Sequence, residues 1–383
     1  MSINLNRKRI ICLITSLPIG GAEKSLLRLI KNTIDEVDYL VVSLDSKKDI
    51  EEKFYEFGVD VHNLNISNLS SFIKAIFVFR NIVNSWKPSI IYSWMYHAIF
   101  FGIISSIFFN KIPNIWGIRH NNLDTNLNKL STVFIAKFIR FFSLIPKKIV
   151  YCSLESLNFH ISIGYSSKNS ILIENGFDPD EFISKYSLSS EAIAFLKTKH
   201  FPAINTKNIF IGCCGRYDPL KRFENFIAVG IKILEKRSNI NFCLIGEGLL
   251  TRKDELLLDV PLQKRKNFYF IGATQEINEV YPCLDILVQT SYSESFPNVI
   301  PEAMLSGVAI IATNVGQTSV ILGDSGSLVD PDDIQQTVKS VFSLLDDPEY
   351  LNTLSKNGTN RIIKNFGIRD LANKNLKMYE EIL

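Results

Sequence analysis

No stretch of this 383-residue chain is apolar for long enough to cross a bilayer as a helix. The longest run, residues 98–109, is interrupted by Gly102, Ser105 and Ser106, and a spanning helix needs roughly 20 residues. Cysteine is scarce, six residues with no Cys-x-x-Cys pair, which argues against a disulfide framework. Cys12, Cys152, Cys213, Cys214 and Cys243 fall inside apolar, strand-like runs, as reduced core thiols do. His62, His97, His120, His160 and His200 are scattered without metal-ligand spacing. The Gly-x-Gly-x-x-Gly dinucleotide fingerprint is absent, which disfavours a Rossmann oxidoreductase. Charge of one sign is lacking too: 42 Lys+Arg against 39 Asp+Glu leave +3, too little to argue for a nucleic-acid partner. Residues 1–9 are polar and lead into a strand pattern, with no signal-peptide apolar core. These absences predict a cytoplasmic protein, soluble or peripheral.

What remains is an ordinary globular composition, 46% hydrophobic, at a length that suggests two domains. Short apolar strands alternate with amphipathic helices in both halves, the pattern of parallel α/β units. In the first half, strands are expected at 9–16, 39–43, 89–94, 114–119 and 148–152, with helices at 22–32, 71–85 and 131–144 between them. The rhythm restarts with strands at 208–214, 241–245, 267–271, 286–289 and 308–312. Two Rossmann-like domains are therefore expected, joined near 199–207, where His200, Pro202 and Asn205 interrupt helical periodicity. The boundaries read as 1–200 and 201–367, with a last amphipathic helix at 368–383 that is a candidate to return to the first domain.

Three segments carry residues suited to chemistry. The first strand runs into Gly20-Gly21-Ala22-Glu23, where two glycines let the backbone approach a phosphate at a helix N-terminus, or simply make a tight turn. The second domain opens with Gly215-Arg216, followed by Lys221. A guanidinium fork and a mobile ammonium at a strand's carboxyl end suit a diphosphate, although a solvated cationic helix start has the same residues. The third segment runs from Ser293 to Gly307 and contains Glu294, Phe296, Pro297, Asn298, Val299 and Glu302. Pro301 is tolerable only in a first helical turn, so a helix should begin near Asn298 and end at Gly307. Two carboxylates beside a helix start can hold sugar hydroxyls and a phosphate together.

With these motifs the chain resembles the retaining glycosyltransferases of glycosyltransferase family 4, the group 1 glycosyl transferases, of the GT-B fold. The strongest match is the Glu-x7-Glu of Glu294 and Glu302 with its Phe-Pro-Asn-Val interior. Gly215-Arg216 with Lys221, Gly20-Gly21-Ala22-Glu23 and Asn175-Gly176-Phe177-Asp178 support it. The resemblance covers nearly the whole chain and is most specific over 212–331. It implies two Rossmann-like domains facing each other across a cleft, with the nucleotide sugar held mainly by the second. By resemblance Arg216 and Lys221 bind the donor diphosphate, Glu302 the ribose hydroxyls and Glu294 the donor sugar. Backbone groups at Phe296, Pro297, Asn298 and Val299 assist, and Gly20 and Gly21 close over the phosphate or sugar. His120 is the best match for a family histidine that touches the sugar, with His97 the alternative and a structural role open for either.

Glycosyl transfer passes through an oxocarbenium-like state while negative charge grows on the departing diphosphate. Asp178-Pro179-Asp180 and Asp330-Pro331-Asp332 read as turns rather than as a metal-binding Asp-x-Asp. Arg216, Lys221 and a helix dipole can supply the positive charge instead. The expectation is a metal-independent, cofactor-free hexosyltransferase that uses a UDP-sugar and a glycan or polyprenyl-diphosphate-linked acceptor in cell-surface polysaccharide synthesis. A sugar-nucleotide epimerase of the same fold and a non-enzymatic sugar-nucleotide-binding protein are the competing readings.

The near-neutral charge hides an asymmetry. Between Val61 and Ile173 eleven cations face only Asp124 and Glu155, a net of +9 that leaves −6 for the rest. Residues 131–142 mix Phe134, Phe138, Phe141 and Phe142 with Lys137 and Arg140 at helical spacing. One face of such a helix packs into a core, and the remainder suits an anionic membrane surface, here the cytoplasmic face of the inner membrane, or a lipid-diphosphate-linked acceptor.

Overall fold

The computed structural model describes residues 7–47, 49–108, 111–125, 127–202 and 205–383. Phe109 at the end of the longest apolar run, and Ala203 and Ile204 in the expected join, lie outside the described residues, as do residues 1–6. The chain forms two units, Met1–Gly176 with Ile368–Leu383, and Phe177–Gly367.

The first unit is built on a seven-stranded parallel sheet: β1 Lys8–Ile14, β2 Val37–Ser43, β3 Asp60–Asn63, β4 Ile90–Trp94, β5 Asn114–Ile118, β6 Lys148–Tyr151 and β7 Ser170–Leu172, in the order β3-β2-β1-β4-β5-β6-β7. β1, β2 and β4 are almost entirely buried, as strands covered by helices on both faces must be. The second unit has six parallel strands: β8 Ile209–Cys214, β9 Ile240–Ile245, β10 Phe268–Ile271, β11 Ile286–Gln289, β12 Ala309–Thr313 and β13 Ser327–Val329, in the order β10-β9-β8-β11-β12-β13. Both sheets are Rossmann-like, and in each the order reverses beside the first strand, at β1/β4 and at β8/β11. Ligands of such sheets bind outside the carboxyl ends of the strands at that reversal.

Ten strands match the pattern read from the sequence, while β3, β7 and β13 escape it. Those three lie at sheet edges and have three or four residues each, too few for periodicity to register. The chain passes between units at 176–177, not at 199–207. Residues 177–200 pack on the second unit: the Lys185 N–H donates to Ser306 O at 3.1 Å, and Lys199 pairs with Glu276 and Glu279. The break in periodicity near 200 marks the end of helix Ser190–His200 rather than a domain boundary. Helix Ile368–Ile382 belongs to the first unit, where Tyr379 is fully buried near Tyr92 and Glu380 pairs with Lys8.

The expected 131–144 helix is shorter than its pattern. It spans Leu130–Ile139 and tightens into a 3-10 turn at Arg140–Phe142. Val133, Ala136 and Ile139 face the core, while Phe134 is 70% exposed and Phe141 72%.

His160 illustrates a burial cost in the first unit. Its Nδ1 lies 2.7 Å from Ser156 O and its Nε2 2.7 Å from the Tyr96 hydroxyl. A carbonyl only accepts, so Nδ1 carries the proton and Nε2 accepts from Tyr96, a neutral ring with both nitrogens satisfied. Burial lowers its pKa from 6.5 to about 4. The unfolded chain therefore takes up a proton that the folded one refuses. The stabilisation is complete above pH 6.5 and is lost as pH falls toward 4, by up to about 3 kcal/mol. Urea midpoints should fall over that range, with a shallower pH slope in His160→Gln; equal slopes would remove His160 as the cause.

Candidate functional site

The reversal in the second sheet brings together the loops that follow β8 and β11. After β8 the chain turns through Gly215 and Arg216 into a 3-10 turn, Pro219–Lys221, capped by the Asp218 carboxylate accepting from Leu220 N–H at 2.9 Å. Lys221 therefore ends a 3-10 turn instead of starting the α-helix, which begins at Phe223. From the β11 side, Thr290 Oγ1 donates to Lys221 O at 3.0 Å and Arg222 O at 2.9 Å, and the Tyr292 N–H donates to Leu220 O at 2.7 Å. These bonds tie the two loops into one wall.

Glu294 meets Lys221 there. The Lys221 ammonium donates to Glu294 Oε1 at 2.5 Å, and the same oxygen accepts from Ser291 Oγ at 2.8 Å and Gln289 Nε2 at 3.1 Å. The Glu294 side chain is only 12% exposed and that of Lys221 26%, so the pair is poorly screened and well fixed. Arg216 differs: it is exposed at the carboxyl end of β8 and makes no ion pair among the described residues. The wall thus presents one held cation and one unpaired cation.

Glu302 lies in helix Val299–Leu305, which begins after Asn298 and carries Pro301 in its first turn, as the sequence predicts. Its carboxylate is 2% exposed and accepts from the Tyr281 hydroxyl at 3.1 Å. The side chain of Phe296 is structural: it is 7% exposed and packs on Phe177 and Phe366, with centroids 6.1 and 6.0 Å away. Pro297 is buried, while Asn298 and Val299 are partly exposed at the helix start.

Two glycines that the motifs did not single out shape this wall. A Cβ on Gly246 would lie 1.9 Å from Gly215 O, and one on Gly316 would lie 1.9 Å from Glu294 O. Their backbones press against the two loops that carry Arg216 and Glu294. Gln289 and Ser291 were missed as well, although a polar Gln-Thr-Ser run closing an apolar strand was their visible signal.

The first unit places Gly20 and Gly21 after β1, His97 after β4 and His120 after β5. His97 thus lies at the strand reversal and His120 one strand away. Burial and the Lys129 charge hold His97 below its ordinary pKa. His120 Nε2 is 2.8 Å from Asn128 Oδ1. Gly20 caps helix Gly21–Lys31, and a Cβ there would sit 2.3 Å from Glu23 Oε2. The space beside this glycine is taken by the chain's own Glu23 carboxylate, the movable end of a flexible side chain.

Also missed were Met95 and Arg119. Met95 adopts φ 73° and ψ 158°, a region almost reserved for glycine, directly at the end of β4. Arg119 lies 4.4 Å over the Trp94 ring and donates to Asn175 Oδ1 at 2.6 Å, an oxygen that also accepts from Ser25 Oγ at 2.9 Å. Asn175 and Gly176 of the Asn-Gly-Phe-Asp motif close the first unit, and Phe177 and Asp178 open the second.

The two Asp-Pro-Asp segments are turns. Asp178 caps the 3-10 turn Pro179–Glu181, and Asp332 accepts a hydrogen bond from Asn225 and forms an ion pair with Arg222. His200, Glu276 and Glu279 cluster closely enough for metal ligation. Lys199 already supplies a cation to both carboxylates.

Two Rossmann-like sheets, with a cationic wall and paired glutamates at the reversal of the second, define the GT-B class. Residues 196–361 match the family model of glycosyl transferases group 1, and residues 19–181 match that of Glycosyltransferase Family 4. The chain belongs to the group 1 glycosyl transferases.

A lipopolysaccharide core biosynthesis mannosyltransferase, LpsB of Rhizobium meliloti, is 28% identical over 45% of this chain and 52% of its own length. The capsular polysaccharide biosynthesis glycosyltransferase CapM of Staphylococcus aureus is 24% identical over 67% of this chain and 64% of its own. The chain thus spans about half to two thirds of the length of these curated relatives. Among solved structures, Anabaena HepE in complex with UDP and glucose superposes with a TM-score of 0.84 at 19% identity, covering 98% of this chain and 100% of that one. That likeness establishes the shared fold.

Proposed function

We propose that this protein is a retaining glycosyltransferase that moves a hexose from a UDP-sugar to a glycan or polyprenyl-diphosphate-linked acceptor during cell-surface polysaccharide synthesis. The observation that carries the reading is the wall at the β8/β11 reversal, with Arg216 exposed and without an ion pair among the described residues, and Lys221 held by Glu294. A diphosphate seated there meets the guanidinium fork first, and the ammonium stabilises the charge that grows as the anomeric bond breaks. Buried Glu302 takes the ribose hydroxyls, and Glu294 and the backbone at 296–299 take the sugar. Gly20 and Gly21 approach the donor, and His97 or His120 serves the sugar. The relatives support this reading: one is a UDP-galactose:GlcNAc-diphosphoundecaprenol galactosyltransferase of Escherichia coli, and HepE is seen with UDP-glucose. No metal or other cofactor takes part in this proposal, since the cations of the wall serve the leaving group.

A second part of the proposal is peripheral attachment of the first unit to an anionic membrane. No described helix is long and apolar enough to cross one. Leu69, Ile73, Phe77, Phe134, Phe141 and Leu144 are all exposed on the unit that carries the +9 segment. Apolar side chains interleaved with an excess of cations are the composition of an interfacial surface.

The test is a nucleotide-sugar panel, read first by thermal shift and then by nucleotide release with acceptors in excess chelator. A UDP-sugar should stabilise the protein, and acceptor-dependent release should survive chelation. Isomerisation of the donor without acceptor would make the protein an epimerase. Binding without turnover across the acceptors would make it a sensor, and loss of turnover in chelator would overturn the metal-free mechanism.

A further inference from the structure

The first unit holds a cavity that the donor site does not use. It has a volume of about 620 Å³, and its lining includes Arg140, Phe141, Leu144, Ser166, Ser167 and Lys168. Arg140 and Phe141 belong to the 3-10 turn that ends helix Leu130–Ile139, and Leu144 lies in the segment leading into β6. Residues 166–168 lead into β7. The cavity therefore opens at the amino ends of the parallel strands. Gly20, His97 and His120 follow carboxyl ends, at the opposite edge of the same sheet.

Its charge is one-sided. Among the described residues no carboxylate lines it, and Asp124 and Glu155 are the only acids in the sequence between Val61 and Ile173. Arg140 donates through Nη1 to Ile163 O at 3.1 Å, which fixes the arm without neutralising it, and no carboxylate pairs with it among the described residues. Lys168 is exposed and likewise unpaired. Hydroxyls line it as well: buried Ser143 accepts from Ser166 N–H at 3.0 Å, and Ser166 Oγ accepts from Lys168 N–H at 3.3 Å. Two apolar side chains of the same lining are open to solvent, Phe141 at 72% and Leu144 at 73%. Two cations, hydroxyls and two exposed apolar side chains in one lining match a molecule with an anionic head and an apolar tail. A free sugar phosphate would leave Phe141 and Leu144 in water.

We propose that this cavity binds the phosphate-bearing headgroup of an anionic phospholipid, with Phe141 and Leu144 entering the acyl boundary. The inference rests on the peripheral-membrane reading above and gives it a defined site. It is independent of glycosyl transfer, because the cavity and the strand ends that carry the donor residues do not overlap.

The test uses the full chain. Short-chain phosphatidylglycerol, kept below micelle formation, should bind saturably. The double variant Arg140→Gln/Lys168→Gln should weaken that binding at least tenfold, whereas Arg369→Gln/Lys377→Gln, which removes two exposed cations of helix Ile368–Ile382, on the same unit but outside the basic segment, should bind as wild type does. Lys168→Gln alone should weaken it as well, and this variant keeps the test open should loss of Arg140 unfold the turn. Phe141→Ser/Leu144→Ser should retain the short-chain lipid but lose sedimentation with phosphatidylcholine–phosphatidylglycerol vesicles. Equal losses in the two charge-removed pairs would reduce the effect to diffuse attraction and overturn the site. Vesicle binding that survives in the cavity variant would overturn the site alone. No vesicle binding by wild type would overturn the membrane reading with it, and UDP-sugar binding, measured in parallel, reports on the donor site separately.

Discussion

Lys221→Ala should lower kcat roughly 100-fold, equivalent to about 3 kcal/mol of lost transition-state stabilisation. The size follows from where the ammonium sits. It is mostly enclosed, and its position is set by an oxygen that Ser291 and Gln289 hold from two other directions. A preorganised cation in a poorly solvated wall costs no reorganisation when charge develops on the leaving diphosphate. The substitution should leave the fold intact, since the Thr290 hydroxyl grips the Lys221 carbonyl rather than its side chain. Glu294→Gln separates positioning from charge. It removes the anion that competes with the diphosphate for Lys221, so UDP should bind at least as tightly while kcat falls. Steady-state kinetics and UDP titration check both results. A wild-type kcat in Lys221→Ala would remove the lysine from the leaving-group step, and tenfold weaker UDP binding in Glu294→Gln would mean that the carboxylate contacts the nucleotide directly.

Much of this arrangement is readable from residue order because the α/β rhythm writes strands as short apolar runs. It also places candidate residues at their carboxyl ends. Arg216 follows β8 and Glu294 follows β11, and knowing that the strand order reverses between them is enough to bring them together. The helix at Val299 was legible because Pro301 has to fall within a first helical turn. Other features depend on three-dimensional neighbours that spacing does not encode. The edge strands β3, β7 and β13 are too short to show a period. The 177–200 segment reads as a continuation of the first domain, yet the backbone bond from Lys185 to Ser306 assigns it to the second unit. Glu23 was read as part of a glycine-turn motif, and only its folded position shows that the carboxylate itself occupies the space beside Gly20.

Gly316 and Gly246 were illegible for the same reason, and they carry the other large expected effect. Gly316 sits at φ 56°, and a Cβ there would lie 1.9 Å from the Glu294 carbonyl oxygen and 2.9 Å from that of Ser295. The neighbouring Gln317 N–H donates to Ser295 O at 3.1 Å, so the two backbones cannot separate without breaking that bond. Gly316→Ala therefore combines a left-handed conformation, about 1–2 kcal/mol for a residue with a Cβ, with a backbone collision that no rotamer can relieve. Gly58 provides the comparison: it sits at φ 71° with nothing within 4 Å of the added carbon, so Gly58→Ala bears the conformational cost alone. Gly316→Ala should lower the thermal midpoint clearly more than Gly58→Ala does. If the chain still folds, the displaced Glu294 loop should release Lys221 and take turnover down with it. Gly246→Ala should act on the opposite loop, pushing Gly215 and Arg216 outward and weakening UDP binding before chemistry. Midpoints within error of Gly58→Ala, with unchanged turnover and UDP affinity, would mean that neither glycine braces the wall. A loss confined to UDP affinity in Gly246→Ala and to kcat in Gly316→Ala would instead assign the nucleotide grip to the Arg216 loop and leaving-group stabilisation to the Glu294–Lys221 pair.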